Sequence, residues 1–385
     1  MKEDAKKAKY KIAVIPGDGI GAEVTAEACK IVDAAGSREG AAFEWIEYPF
    51  GASHYLRTNE TLPDSAVGEM KECDAMLLGA IGSPEVKPGI LERGIVLGLR
   101  FIFDQYVNLR PAKSLPNVPT PVPLGGRVMD SVVIRENTED LYLGLGWIFD
   151  GSSDSLKTPL ELERGGYSLR GSLDLSLSPN MPFAAQIAIN TRHGVGRITR
   201  YACEEARRRG ESRVTIVTKS NAAPALYGYF EDEAKRVIAE EYPEIKPDTA
   251  NIDALCYHLS RTPLAYGVLL CPNLFGDIVS DLQAGLAGGL GTAAGGNIGD
   301  GLSMFEPVHG SAPDIAGTGK ANPIAAILSG ALMLKHIGLG GAASNIERAV
   351  DAYLRESPRK DFPFEFGGDM MCLDVGEAIL RRCSP

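Results

Sequence analysis

Short apolar runs alternate along the chain with longer segments in which apolar residues recur every three or four positions. Lys11-Ile-Ala-Val-Ile15 reads as a buried strand, Pro16 to Gly21 as a loop and Ala22 to Ala35 as a helix. Asp74-Ala-Met-Leu-Leu-Gly79 reads as a second buried strand. This alternation predicts an α/β sheet with helices on its faces. A second block begins near Tyr106, with strands at Ser131–Ile134, Val214–Val217 and Ala265–Leu270 and helices at Arg192–Arg208 and Pro224–Glu240. Trp147 to Pro182, rich in Ser, Gly and Leu, suggests strands or an arm used in subunit contact. Asn322 and Pro323 open a further helix, since Asn caps well and Pro suits a first turn. Gly338 and Gly340 are its expected stop residues.

The length of 385 residues suits two domains better than one. No repeat or disordered linker separates them, so one domain is expected to be inserted in the other, with a cleft between. The large domain would take 1–105 and 283–385. The small one, with the dimer interface and arm, would take 106–282. The net charge of −11 and the lack of a basic tract argue against a nucleic-acid partner. Seven scattered cysteines without metal-ligand spacing suggest a reduced, cytoplasmic chain. Lys2 to Lys11 lacks the apolar core of a signal peptide, and Ala325 to Leu334 is too short to span a bilayer. No membrane partner is expected.

The most informative stretch is Asn273-Leu-Phe-Gly-Asp277-Ile-Val-Ser-Asp281. A helix beginning near Gly276 would set Asp277 and Asp281 on one face, a half-site for a hard cation such as Mg²⁺ or Mn²⁺. Asp253 offers a third carboxylate, or else a helix cap. Arg100, Arg110 and Arg135 lie in apolar surroundings, where a guanidinium needs an anion. They suit a carboxylate substrate, or salt bridges to Asp104, Glu136 or Glu139. Tyr142 and Lys219 are acid–base candidates near a cation; packing and an ordinary strand end are the plainer readings. Gly17-Asp-Gly-Ile-Gly21 sits where a strand feeds a helix, as a phosphate loop or a tight turn, but it is not GxGxxG, so the usual Rossmann fingerprint is missing. His309, Gly310, Ser311, Ala312 and Asp314, with Asn322 nearby, form a polar loop able to hold phosphate or ribose, or a simple turn.

Together, Ile15–Gly21, Asn108–Pro111, Arg135–Glu139, Asn273–Asp281 and Glu306–Gly317 resemble motifs of the metal-dependent β-decarboxylating dehydrogenases, the isocitrate/isopropylmalate dehydrogenase family. The resemblance covers most of the chain. It implies two α/β domains with a central cleft, an NAD site unlike the standard Rossmann one, and a homodimer with shared active sites. It further implies that Arg100, Arg110 and Arg135 grip the malate moiety and that Tyr142 and Lys219 are the acid–base pair. Asp253, Asp277 and Asp281 become the metal carboxylates, with Asp253 reaching across a dimer interface. Asn221 and Glu306 fall near the nicotinamide, and His309 to Asp314 with Asn322 form the adenosine site. Asp314 resembles the residue that selects NAD. Val96 and Leu97, in the helix before Arg100, could pack against an isopropyl group, which favours 3-isopropylmalate. Arg93 and Glu139–Tyr142 point instead to isocitrate or homoisocitrate, and Phe103–Tyr106 to D-malate or tartrate. A non-catalytic regulatory subunit would retain the same fold.

Overall fold

The computed structural model describes residues 8–153 and 155–383, so the expectation for Lys2 to Lys7 lies outside the described residues. The strands are β1 (Lys9–Gly17), β2 (Ala42–Glu47), β3 (Ala75–Ala80), β4 (Val107–Lys113), β5 (Asp130–Glu136), β6 (Gly146–Phe149) and β7 (Leu156–Arg164). They continue as β8 (Tyr167–Leu175), β9 (Phe183–Gln186), β10 (Arg213–Thr218), β11 (Lys246–Asn251), β12 (Val268–Cys271), β13 (Ala294–Ile298) and β14 (Met304–Pro307).

The chain divides into two compact units. One takes the described residues up to Val133, Tyr257–Tyr266 and the described residues from Val279 onward. The other takes those of Ile134–Cys256 and Gly267–Ile278. The first therefore continues well past residue 105. β4 belongs to it because it pairs with β13, with Asn108 directly opposite Asn297.

In the first unit the strand order is β4-β13-β14-β3-β1-β2. β1 lies parallel to β2 and β3, and β3 parallel to β14, while β13 runs antiparallel to β14 and β4. β3 is buried at every position, as its unbroken Ala-Met-Leu-Leu-Gly-Ala requires. The core on one side gathers Ile15, Met76, Leu78, Leu91, Ile95 and Leu99. The helix Ile324–His336 follows Asn322, whose Oδ1 accepts from the Ile324 amide at 3.2 Å. It ends before Gly338, which takes a φ of +86°. Gly340 is no stop residue, because it opens the next helix, Gly340–Glu356.

The second unit orders its main strands β11-β10-β12, followed by β5, whose residues from Ile134 on belong to it. The hydrophobic pattern does not predict β11, Lys-Pro-Asp-Thr-Ala-Asn, which is an edge strand paired only with β10; proline is tolerated at an edge. β12 starts at Val268 rather than Ala265, since Pro263–Ala265 forms a single 3₁₀ turn. The Trp147 to Pro182 segment does form strands. β7 and β8 make a nine-pair antiparallel hairpin, and β6 pairs with β9. Leu162 and Leu169 face each other near the hairpin's turn and pack with Leu143, Leu145 and Tyr167. Among the described residues, no helix is long and apolar enough to cross a membrane.

Candidate active site

The helix carrying the paired aspartates runs Asn273–Ala287, with Asp277 in the second unit's segment and Asp281 in the first's, and begins three residues before the expected Gly276. Asp140 explains the early start, because its Oδ2 accepts from the Leu274 amide at 2.9 Å. Asp277 and Asp281 still sit one helical turn apart on one face. Arg135, from the end of β5, is only 1% exposed. Its stem passes over Gly276, where a Cβ would lie 2.5 Å from the Arg135 Cγ, so this turn needs a glycine. The Arg135 Nε donates to the Asn273 carbonyl at 2.9 Å and to its Oδ1 at 3.0 Å. The guanidinium also forms an ion pair with Asp277, not with Glu136, Glu139 or Asp104, the alternative partners the sequence offered. Tyr142 donates its hydroxyl proton to the other Asp277 oxygen at 2.8 Å, and Arg135 lies 5.1 Å from its ring centre. Arg135, Tyr142 and Asp277 thus form one cluster, with the Asp277 carboxylate held in a fixed orientation.

Lys219 follows β10 and donates to Asp253 at 2.6 Å. This pairing with Lys219 holds the Asp253 carboxyl below the usual range. Asp253 lies in the first turn of the helix Ile252–Leu259, so its side chain serves the lysine as well as that turn. Asn221 is exposed just beyond Lys219. Glu139 accepts from the Thr191 hydroxyl at 2.6 Å and the Thr191 amide at 2.8 Å. Burial and the neighbouring Glu136 push its carboxyl up to about 7.

In the first unit, Arg100 and Arg110 are both buried. Arg100 pairs with Glu306 at 3.1 Å, and the Arg110 Nε donates to the Asn108 Oδ1 at 2.5 Å. Val96 and Leu97 end a π-helical turn, Glu92–Leu97, and are half-buried. Gly94 is required in that turn because a Cβ would lie 2.6 Å from the Thr61 side chain.

The glycine-rich turn at 17–21 meets the polar loop directly. The Ile20 amide donates to the Ser311 carbonyl at 2.9 Å, and a Cβ on Gly19 would lie 1.9 Å from that oxygen. Asp18 is structural, accepting from the amides of Ala52 and Gly82 at 2.7 and 2.9 Å. His309 is largely enclosed, and burial lowers its pKa. Its Nδ1 lies 3.0 Å from the Gly310 carbonyl, and its Nε2 lacks a hydrogen-bond partner among the described residues. Gly310 and Asp314 are exposed, Ser311 is buried, and Ala312 takes a φ of +41°. The Asn322 Nδ2 donates to Glu365 at 2.8 Å. Glu365 also accepts from the Gly291 amide at 3.2 Å, and no motif in the sequence marks it.

The two helical carboxylates, one anchored by a tyrosine, offer the hard oxygen donors a divalent cation takes. Among the described residues, no group of three or more His, Cys, Asp or Glu side chains able to hold a metal forms within one chain. The loop from His309 to Asp314 offers exposed backbone at Gly310 and an exposed carboxylate at Asp314, polar groups of the kind a ribose can meet.

Comparison with known proteins places the chain among oxidoreductases, the decarboxylating dehydrogenases. Residues 11–379 match the isocitrate/isopropylmalate dehydrogenase family model. The chain is 42% identical over 376 residues to the 3-isopropylmalate dehydrogenase of Thermobifida fusca, covering 97% of each. It is 44% identical over 355 residues to that of Streptomyces coelicolor, covering 91% of this chain and 93% of the relative. The crystal structure of isocitrate dehydrogenase from Methylococcus capsulatus superposes with a TM-score of 0.82 at 35% identity, covering 98% of this chain and all of that one. The chain belongs to the isocitrate/isopropylmalate dehydrogenase family.

Proposed function

We propose that the chain catalyses the oxidative decarboxylation of 3-isopropylmalate to 4-methyl-2-oxopentanoate and CO₂, with reduction of NAD⁺. The observation that carries this reading is the chain-long identity of 40–44% to 3-isopropylmalate dehydrogenases. The half-buried Val96 and Leu97 ahead of Arg100 agree with it, because an isopropyl group needs an apolar wall.

Arg100, Arg110 and Arg135 would hold the two carboxylates, and their planar forks match that geometry. Asp277 and Asp281 would hold Mg²⁺ or Mn²⁺, with Asp253 supplied by a second copy in a homodimer. When bound, NAD⁺ would accept the hydride, while the cation would favour the ionised hydroxyl and offset the charge left after CO₂ departs. Lys219 would take the hydroxyl proton. Because it lies 2.6 Å from Asp253, it would come from the same copy as that aspartate. Tyr142, held on Asp277, would return a proton to the enol carbon. His309, Ser311 and Asp314 would receive the adenosine, with the backbone of Gly310 and Ala312 shaping the loop. Glu306 and Asn221 would flank the nicotinamide side. A cytoplasmic location completes the proposal.

An isocitrate reading is the alternative favoured by the likeness to the Methylococcus enzyme and by the exposed Arg93, which could meet a third carboxylate. The test is NADH formation from 3-isopropylmalate, isocitrate, homoisocitrate, D-malate and tartrate, each with Mg²⁺ or Mn²⁺. Highest kcat/KM with 3-isopropylmalate supports the proposal. Preference for isocitrate would replace it, and binding without turnover would point to a regulatory subunit.

A further inference from the structure

Arg100 and Arg110 are ten residues apart in sequence, on a helix and a strand, yet one buried chain of hydrogen bonds joins them. The Arg110 Nε donates to the Asn108 Oδ1 at 2.5 Å, and the Asn108 Nδ2 donates to the Asn297 Oδ1 at 2.7 Å. The Asn297 Nδ2 then donates to the Glu306 Oε1 at 2.8 Å, and that same oxygen accepts from the Arg100 Nη2 at 3.1 Å. Asn108 and Asn297 are both fully buried, while Arg100, Arg110 and Glu306 are 6–8% exposed.

The sheet explains how the sequence builds this line. Asn108 and Asn297 are directly opposite on antiparallel β4 and β13, so their side chains leave the same face. Arg110 is two residues beyond Asn108 and shares that face. Gly295 occupies the corresponding place on β13, opposite Glu306. A Cβ there would lie 3.3 Å from the Arg110 Nε and 3.2 Å from the Glu306 carbonyl oxygen, so glycine leaves the guanidinium its room.

The direction of the chain is fixed from both ends. A guanidinium can only donate, so Asn108 must present its oxygen to Arg110 and its amide group onward. The Glu306 carboxylate accepts from Arg100, so Asn297 must present its amide group there. Neither amide can flip without leaving two buried polar groups unmatched.

We propose that Asn108 and Asn297 are positioning residues that, with Glu306, lock Arg100 and Arg110 at a fixed spacing before the substrate dicarboxylate arrives. This rests on the reading that the two arginines hold the substrate carboxylates. The amides touch no substrate and act through the arginines. Preorganised donors bind without reordering their side chains, and this advantage is lost if the line is broken at any point.

The test uses the full-length enzyme with NAD⁺, Mn²⁺ and 3-isopropylmalate, with isocitrate and D-malate alongside. The variants are Asn108→Ala, Asn297→Ala, the double variant, and Arg100→Ala and Arg110→Ala. Each asparagine variant should raise the substrate KM by roughly tenfold or more while the protein stays folded by circular dichroism. The double variant should be no worse than about twofold beyond the poorer single one, since one break already opens the line. Asn297→Asp keeps the side-chain shape and replaces the donor to Glu306 with an acceptor. It should raise KM similarly, which keeps the proposal testable if the alanine variants do not fold. If the arginine variants raise KM but the asparagine variants leave it unchanged, the positioning role is overturned. Independent, additive losses in the double variant would overturn it too. If the arginine variants leave KM unchanged, the reading of the arginines as the substrate grip fails, and the positioning role falls with it.

Discussion

Replacing Glu139 by glutamine should flatten the pH dependence of stability. Glu139 is fully buried beside Glu136, with Thr191, Arg197 and Tyr167 also close. Its carboxyl titrates at about 7 in the folded chain against an ordinary value of 4.5. The folded protein therefore keeps a proton that the unfolded chain gives up between those values. The resulting stabilisation is complete below pH 4.5 and is lost as pH rises through 7. The gap corresponds to roughly 3 kcal/mol, of which about 2 kcal/mol disappears between pH 5.5 and 8.5. Glutamine resembles the protonated acid in size and does not titrate. It also fits beneath Gly194, where a Cβ would lie 2.3 Å from the Glu139 carboxyl carbon. Urea unfolding of wild type and Glu139→Gln at several pH values is the assay. The difference in unfolding free energy between them should change by about 2 kcal/mol across that range, with the variant gaining relative stability at high pH. Parallel curves would refute the argument that burial beside Glu136 holds a proton on this group.

Lys219→Ala should cut single-turnover hydride transfer by about a hundredfold or more, read as NADH absorbance in stopped flow. Tyr142→Phe should slow later protonation more than substrate binding, so kcat should fall while KM changes little. Gly19→Ala forces a methyl group against the Ser311 carbonyl; it should lower thermal stability and raise the KM for NAD⁺ more than that for the hydroxy acid. Val96→Asn should shift preference away from 3-isopropylmalate by about 1–3 kcal/mol, measured as the ratio of kcat/KM values for 3-isopropylmalate and isocitrate.

Much of the fold was legible because buried parallel strands are short unbroken apolar runs. β1, β5 and β10 each extend the expected core by one or two residues at either end. Edge strands were less legible. β2 is only partly buried and pairs with β1 alone, so no long apolar run marks it. The helix stop at Gly340 failed because a glycine that follows one helix can equally begin the next. The site residues were legible as chemical types, but their partners were not. Nothing near Asn297 in sequence signals that it faces Asn108 across 189 positions. The pairing of Arg135 with Asp277 likewise depends on Gly276 letting the arginine stem pass, a contact created only by packing.

The proposed activity requires a cation held by Asp277 and Asp281 of one copy and Asp253 of another. Mixing the separately inactive Asp253→Asn and Asp277→Asn proteins under conditions of subunit exchange tests it directly. A hybrid dimer would carry one doubly altered site and one intact site, so activity should return to about half the wild-type value per hybrid. Exchange confirmed by mass spectrometry with no recovered activity would contradict the claim.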